Sequence, residues 1–120
     1  MAGKSRLRRS ISRWANPDRE EARELRRDSE RSGCVPVEEA ASREMVTLQG
    51  TLRTVTLRPR GGVPALEAEL YDGTGTITLL WLGRRRIAGI QPGSRIQVTG
   101  RIGDHGGERI MYNPRYDLRY

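Results

Sequence analysis

Residues 66–82 read LEAELYDGTGTITLLWL, and this stretch decides the fold. Leucine and alanine alternate with glutamate in its first half, while Ile77, Leu79 and Trp81 alternate with threonine and leucine in its second half. A period of two is typical of β-strands that bury one face. Between the halves, Gly73 and Gly75 can adopt the positive φ angles of a tight turn. The stretch therefore predicts two antiparallel strands joined by a hairpin.

Strand patterns continue on both sides of this hairpin. Upstream, apolar residues occupy even positions from Val46 to Leu52 and odd positions at Val55 and Leu57. A strand cannot change faces without an extra residue, so the pattern predicts one long first strand with a bulge near residues 53–54. Downstream it predicts a fourth strand near residues 95–102 and a fifth around residues 110–112. Residues 83–90, between strands three and four, fit one or two helical turns.

The first 43 residues have a different composition. Residues 1–13 hold five basic side chains and no acid. Asn16 followed by Pro17 is typical of a helix start, and Gly33 of a helix end. The run between them has few apolar residues, which predicts a solvated helix that is marginal on its own. We therefore divide the chain into a basic arm, charged helix and linker over residues 1–43 and a β-domain over residues 44–120.

The charge balance indicates the class of partner. The 120 residues contain 22 Lys and Arg against 15 Asp and Glu, a formal net charge of +7, and every basic residue except Lys4 is an arginine. Guanidinium groups make bidentate contacts to phosphate and stack on bases, so polyanions are the first candidate partners. A GC-rich genome would also favour arginine over lysine codons, but it leaves the net charge unexplained.

Several function classes are not expected from this sequence. Cys34 is the only cysteine and His105 the only histidine, so no intrachain disulfide and no cysteine-based metal site are predicted. There is no phosphate-binding loop ending in Lys-Ser or Lys-Thr and no histidine-paired nucleophile, which argues against an enzyme, a cofactor or a small-molecule substrate. No apolar run approaches 18 residues and no signal-peptide core follows the basic start, so we expect a cytoplasmic protein without a membrane partner.

Three segments resemble the motifs of OB-fold domains of the tRNA-anticodon-binding type. Residues 46–52 resemble the family's opening motif of valine and glycine, residues 70–77 its aspartate-threonine-glycine hairpin, and residues 90–101 its proline-glycine fourth strand. The resemblance implies an all-β core: a five-stranded Greek-key OB-fold barrel with a short helix between strands three and four. A charged N-terminal extension, helical or disordered, would precede it.

The whole chain also resembles a family of small actinobacterial proteins, each with an OB domain behind a charged N-terminal segment. Residues 54–60, 81–90 and 112–116 carry this likeness. Membership would imply nucleic-acid binding. Fold alone does not fix function.

The resemblance also suggests a binding surface. OB domains that bind single strands stack bases on aromatic residues across strands two and three, while basic loops contact phosphates. Glu67 and Glu69 should point outward from strand two, and we expect Arg53 to neutralise one of them by a cross-strand pair. Trp81 shares its parity with the core residues of strand three and is expected inside. The candidate binding residues are Arg53, Arg58, Arg60, Tyr71, Arg84, Arg85, Arg86, Tyr112 and Arg115.

The expected function is non-catalytic binding of single-stranded DNA or RNA with little sequence preference, through the barrel and its basic loops. The alternative is a protein-protein interaction module that docks on a larger nucleic-acid-processing enzyme, with residues 17–31 as a possible contact. A membrane-surface role for the basic arm is not expected.

Overall fold

The computed structural model describes residues 17–119. Helix α1 (Pro17–Arg31) and a 3₁₀ turn (Val37–Glu39) precede six strands: β1 (Met45–Leu57), β2 (Ala65–Tyr71), β3 (Thr76–Leu82), β4 (Arg95–His105), β5 (Glu108–Tyr112) and β6 (Arg115–Arg119). The predicted arm, its apolar stripe and the Asn16 cap lie outside the described residues.

Five of the strands form a closed ring. β1 pairs antiparallel with β2 and, through its first half, with β4. β2 pairs with β3, β3 runs parallel to β5, and β5 pairs with β4. Because β1 has partners on both sides, the order β1, β2, β3, β5, β4 returns to β1. This is the strand order of the predicted OB-fold.

β1 changes partners at the predicted bulge. Its register with β2 shifts between Leu52 and Thr54, which leaves Arg53 as the extra residue. Gly50 lies close to this point, and a Cβ atom there would come within 2.3 Å of the Tyr71 carbonyl oxygen. Only glycine allows the two backbones to approach this closely. The bulge prediction is confirmed.

The interior of the ring is filled by the alternating apolar side chains. Leu48, Leu70, Leu79 and Ile96 are each fully buried there. Trp81 is also inside, and its indole Nε1 donates to the Pro114 carbonyl oxygen at 3.1 Å. The expectation that Trp81 belongs to the core is confirmed.

A sixth strand, β6, was not predicted. It pairs antiparallel with the first half of β4, next to the ring. Pro114 interrupts the chain before it. Tyr116 packs edge-on against Trp81 but keeps 39% of its surface exposed, and Leu118 is half-buried against the core. Tyr116 and Leu118, at alternate positions, were the available signal for a strand, but the charged residues Arg115, Asp117 and Arg119 obscured it.

The predicted helix between strands three and four does not form. Residues 83–90 make turns instead, since Gly83 and Gly89 adopt left-handed φ angles of 76° and 84°. Those angles are incompatible with a right-handed helix. Ile87 and Ile90 are nevertheless buried against the interior, as expected for residues that close one end of the ring.

Helix α1 packs on the sheet, in contrast to the solvated helix that its composition predicted. Leu25 and Ser29 are buried, and the Arg95 guanidinium contacts Asp28 Oδ2 at 2.6 Å and Glu24 Oε2 at 3.6 Å. The 3₁₀ turn continues this attachment, because Val37 is fully buried in the core. The sequence before residue 44 thus contributes to the packed structure.

Candidate nucleic-acid interface

The outer face of β2, β3 and β5 changes from polar to apolar along the strands. At one end, Tyr71 pairs with Thr76, and at the other Ala65 pairs with Leu82. Between them Leu80 is fully buried together with Ile110 and Ala65 in a small apolar cluster outside the ring. The far end of β3 is apolar on both faces, and the sequence indicated that one of them would be covered. The structure shows the outer face covered at Leu80.

Glu67 lies at the middle of this face and holds two of the predicted phosphate-binding residues. Arg60 Nη2 donates to Glu67 Oε1 at 3.0 Å, and Arg58 Nε lies 3.4 Å from Oε2. The expected cross-strand neutralisation by Arg53 is wrong for Glu67: its carboxylate is paired by the loop after β1. Arg58 and Arg60 can bind a phosphate only if they release the Glu67 carboxylate.

Arg53 instead contacts Tyr71. Its guanidinium carbon lies 3.6 Å from the centre of the Tyr71 ring, a cation-π contact that covers one ring face. The bulge at Arg53 brings this about, since it turns the side chain toward the end of β2. We call this region, Arg53 and Tyr71 beside residues 72–75, the hairpin end.

The opposite end combines exposed apolar side chains with exposed arginines. Val63, Leu82 and Tyr112 are exposed by 47%, 41% and 42%. The loop after β3 is held beside the loop after β1, because the Gly83 amide donates to the Pro64 carbonyl oxygen at 2.7 Å. Within residues 17–119, no acidic oxygen lies within 4.0 Å of the three exposed arginines that follow. We call this region the arginine-rich end: Val63, Leu82, Arg84, Arg85, Arg86 and Tyr112.

The predicted residues therefore fall into separate groups. Six residue steps of β2 separate Tyr71 from Ala65, and at about 3.3 Å per residue the two ends lie roughly 20 Å apart. Tyr71 does not border the same groove as the arginine cluster. Arg58 and Arg60 lie between the ends on Glu67, and Arg115 belongs to β6 on another side of the ring.

Sequence reasoning missed Val63 and Leu82 as surface residues. Leu82 was visible as the last residue of a strand that is apolar on both faces, but nothing in the sequence distinguished a covered face from an exposed one. The structure separates them: Leu80 is buried and Leu82 is open.

Two observations bear on other kinds of site. Among residues 17–119 there is no group of three or more His, Cys, Asp or Glu side chains that could hold a metal ion. In the same part of the chain no helix has both the length and the apolar character needed to cross a membrane.

The fold agrees with a known domain family. The family model for the OB-fold nucleic acid binding domain matches residues 46–118. The chain belongs to this family. The match begins in β1 and ends in β6, so it includes every strand of the OB-fold ring.

Solved structures show the same fold at low sequence identity. A structure of RecG bound to a three-way DNA junction is 21% identical with a TM-score of 0.62, over 71% of this chain and 12% of that one. The p204 HINb domain is 12% identical with a TM-score of 0.60, over 76% of this chain and 49% of that one. The OB domain of Ta0387 from Thermoplasma acidophilum is 13% identical with a TM-score of 0.57, over 71% and 85%.

The coverage of these neighbours limits what they show. This chain spans only 12% of the RecG chain and about half of the p204 chain. No curated protein sequence matches it. The likeness therefore establishes the OB-fold.

Proposed function

We propose that this OB-fold protein binds single-stranded DNA or RNA with little sequence preference and catalyses no reaction. The observation that carries the proposal is the arginine-rich end, where an exposed tyrosine and two exposed apolar residues lie beside three arginines without acidic partners among residues 17–119. Unpaired bases stack on aromatic rings irrespective of sequence, and arginines contact the phosphates between them.

The carboxylates on the outer face of β2, β3 and β5 favour binding at the arginine-rich end rather than at the middle of that face. Glu69 and Glu108 have no cationic partner within 4.0 Å among the described residues, and Glu108 accepts a hydrogen bond from the Thr78 hydroxyl at 2.8 Å. Uncompensated carboxylates repel a phosphate backbone. At the end of the face that carries Tyr112, no acidic oxygen of residues 17–119 lies within 4.0 Å of Arg84, Arg85 or Arg86.

A single-stranded ligand suits this surface better than a duplex. Tyr112 and Leu82 offer flat apolar area, which a splayed base can contact and a base inside a duplex cannot. We propose the cytoplasm as the site of action, in keeping with the sequence-based expectation.

The test is fluorescence anisotropy with labelled single-stranded and duplex oligonucleotides at two salt concentrations. We expect tighter binding of the single strands, and a steep loss of affinity with salt because bound phosphates release counterions. Changing Arg84, Arg85 and Arg86 together to Ala should weaken binding at least tenfold, about 1.4 kcal/mol. Tyr112→Ala should remove a stacking contribution of about 1–3 kcal/mol.

A charge-matched control separates a site from general attraction. Arg19, Arg23 and Arg27 are exposed on α1, and changing them to Ala removes the same charge away from the arginine-rich end. Equal losses from both triple variants would indicate diffuse electrostatics.

A protein-interaction role is the alternative, because exposed apolar residues such as Val63 and Leu82 also suit a protein partner. If the folded protein binds none of the oligonucleotides at low salt, the proposed function is wrong and docking on a nucleic-acid-processing enzyme becomes the better hypothesis. Residues 17–31 would then be tested through their exposed charged side chains.

A further inference from the structure

A second cationic surface lies on the other side of the ring, on the outer face of β1, β4 and β6. Strand registers align its side chains in rows: Thr47 pairs with Thr99, which pairs with Arg115, and Gln97 pairs with Asp117. The inward positions of the same strands, such as Ile96 and Val98, are fully buried in the core. The rows therefore lie on the outside of the ring, where Thr47, Gln97 and Thr99 are half-buried and the two arginines of β6 are exposed.

The charges on this face differ from those on the face of β2 and β3. The outward positions of β4 from 95 to 101 and of β6 carry four arginines and one acid: Arg95, Arg101, Arg115, Arg119 and Asp117. Glu24 and Asp28 of α1 compensate Arg95. Arg115 and Arg119 are exposed and lie within 4.0 Å of no acidic oxygen of residues 17–119.

A polar groove of about 450 Å³ runs along this face. It is lined by Thr47, Gln97, Thr99, Arg115, Tyr116 and Asp117. The Thr47 and Thr99 hydroxyl oxygens lie 2.9 Å apart, so one donates to the other and the second hydroxyl hydrogen remains free. The Gln97 amide donates one hydrogen to Cys34 Sγ at 3.4 Å and keeps another. Neutral donors beside arginines are the groups that contact phosphate oxygens.

The groove is joined to the arginine-rich end by a short turn. Tyr112 ends β5 and Arg115 begins β6, with only Asn113 and Pro114 between them. Asn113 fixes this turn: it adopts a φ of 48°, and its side-chain Oδ1 accepts a hydrogen bond from the Leu82 amide at 2.9 Å. A chain that leaves Tyr112 can reach Arg115 without crossing the carboxylates of β2.

We infer that a single strand held at the arginine-rich end continues around the turn at residues 113–114 into the groove on β4 and β6. There Arg115 contacts its phosphates, and the free hydroxyl of the threonine pair and the Gln97 amide donate to phosphate oxygens, while Arg119, at the end of β6 beyond the groove, contacts a further phosphate. This inference rests on the proposed function. It extends the ligand to a strand longer than the arginine-rich end alone would contact. Asp117 is the one acid among the residues that line the groove, and it lies between Arg115 and Arg119 in the sequence of β6.

The test compares oligothymidylates of about 4 and about 16 nucleotides, the range of site sizes known for OB-folds. With the double variant R115Q/R119Q, affinity for the longer strand should fall about tenfold, whereas affinity for the shorter strand stays within twofold. The matched control is R19Q/R23Q, which removes the same charge from the exposed surface of α1 and should leave both affinities within twofold. Thermal unfolding confirms that each variant is folded.

Backbone amide shifts provide an independent readout. Titration of the longer oligonucleotide into the wild-type protein should shift Thr47, Gln97 and Thr99, whereas Glu69 and Thr78 on the opposite face should shift little. If the wild type binds the longer strand and R115Q/R119Q binds it equally well, or R19Q/R23Q loses as much, the path is wrong and the proposed function stands. If the wild type binds neither strand, the proposed function fails and the path with it.

Discussion

The buried carboxylate of Asp72 connects the 3₁₀ turn to the hairpin between β2 and β3. Its Oδ2 accepts from the Val37 amide at 2.8 Å, and its Oδ1 from the amides of Thr74 and Gly75 and from the Thr74 hydroxyl. Asp72→Ala would leave the buried Val37 amide without an acceptor, at about 1–3 kcal/mol, and would also remove the acceptor of three half-buried donors of Thr74 and Gly75. We expect a loss of about 3 kcal/mol or more in the free energy of unfolding, measured by urea denaturation.

Asp104 provides the comparison for this variant. It accepts one amide hydrogen bond, from Gly107 at 3.0 Å, in an exposed turn. Asp104→Ala should cost about 1 kcal/mol or less, because water can replace the lost acceptor. Similar losses from both variants would show that the hairpin is not held through Asp72.

Glu67 sets how many arginines can reach a phosphate. Glu67→Gln removes the carboxylate that pairs with Arg58 and Arg60, so both guanidinium groups become available. We expect tighter binding of single-stranded oligonucleotides and a steeper dependence on salt, by about 0.7 in the logarithmic slope for each new phosphate contact.

Glu69→Gln is the matched control, since it removes the same charge one row away on β2 without releasing an arginine. It should tighten binding less and leave the salt slope unchanged. If the two variants behave alike, Arg58 and Arg60 do not contact the ligand.

These side-chain partners mark the limit of sequence reasoning at the residue scale. The loops that carry Arg58 and Arg60 were visible in the sequence, because proline and glycine surround them. Their pairing with Glu67 was not, because it depends on how the loop folds back over β2. The contact between Arg53 and Tyr71 depends in the same way on the direction in which the bulge turns its extra residue.

At the scale of elements, α1 is attached to the sheet by few interactions. Leu25 is its one buried apolar residue among the described positions, and the buried atoms Ser29 Oγ and Gln49 Oε1 find no hydrogen-bond partner in that part of the chain. Burial of a leucine stabilises by about 1.5–3 kcal/mol, whereas each unpaired buried polar group costs about 1–3 kcal/mol. The attachment is therefore weak relative to the ring.

Leu25→Ala should detach α1 selectively. We expect a loss of about 2–3 kcal/mol in the docking of the helix, seen as faster amide hydrogen exchange in α1 with unchanged exchange in β2 and β3. Glu30→Ala, at an exposed position of the same helix, should leave exchange unchanged. Uniformly faster exchange throughout the protein would mean that helix and ring open together.

Elements were predictable where a strong apolar period ran through them. β1 to β4 and the bulge follow from alternation and glycine positions. β6 was not predictable, because a short charged strand has few apolar residues. The turns at residues 83–90 were not predictable either, because the sequence does not show which φ angles Gly83 and Gly89 adopt. The docking of α1 depends on a single leucine, too little for a periodic signal.

For the whole molecule, the net charge of +7 predicts how binding responds to salt. Five of the basic residues lie in the N-terminal arm, which is outside the described residues. Changing Lys4, Arg6, Arg8, Arg9 and Arg13 to Gln should weaken binding of single strands and lower the logarithmic salt slope by up to about 3.5, or about 0.7 for each lost phosphate contact. Anisotropy titrations at several salt concentrations measure this slope. An unchanged slope would assign the arm another purpose.

The rate at which the Cys34 thiol is alkylated can report local opening of the structure around it. Burial raises the pKa of the Cys34 thiol above its ordinary 9.0, against the opposing hydrogen bond from Gln97 and the nearby charge of Arg119. The thiolate is the reactive form, so alkylation near neutral pH should be slow in the native protein. It should be faster in Leu25→Ala, because the Cys34 amide donates to the Ser29 carbonyl oxygen at the end of α1 and a detached helix would loosen this half-buried residue. Because the unfolded thiol releases its proton more readily, folding stability should decline as the pH rises above about 9. The alkylation rate of this native thiol would thus measure how often the segment around Cys34 opens, without an introduced label site.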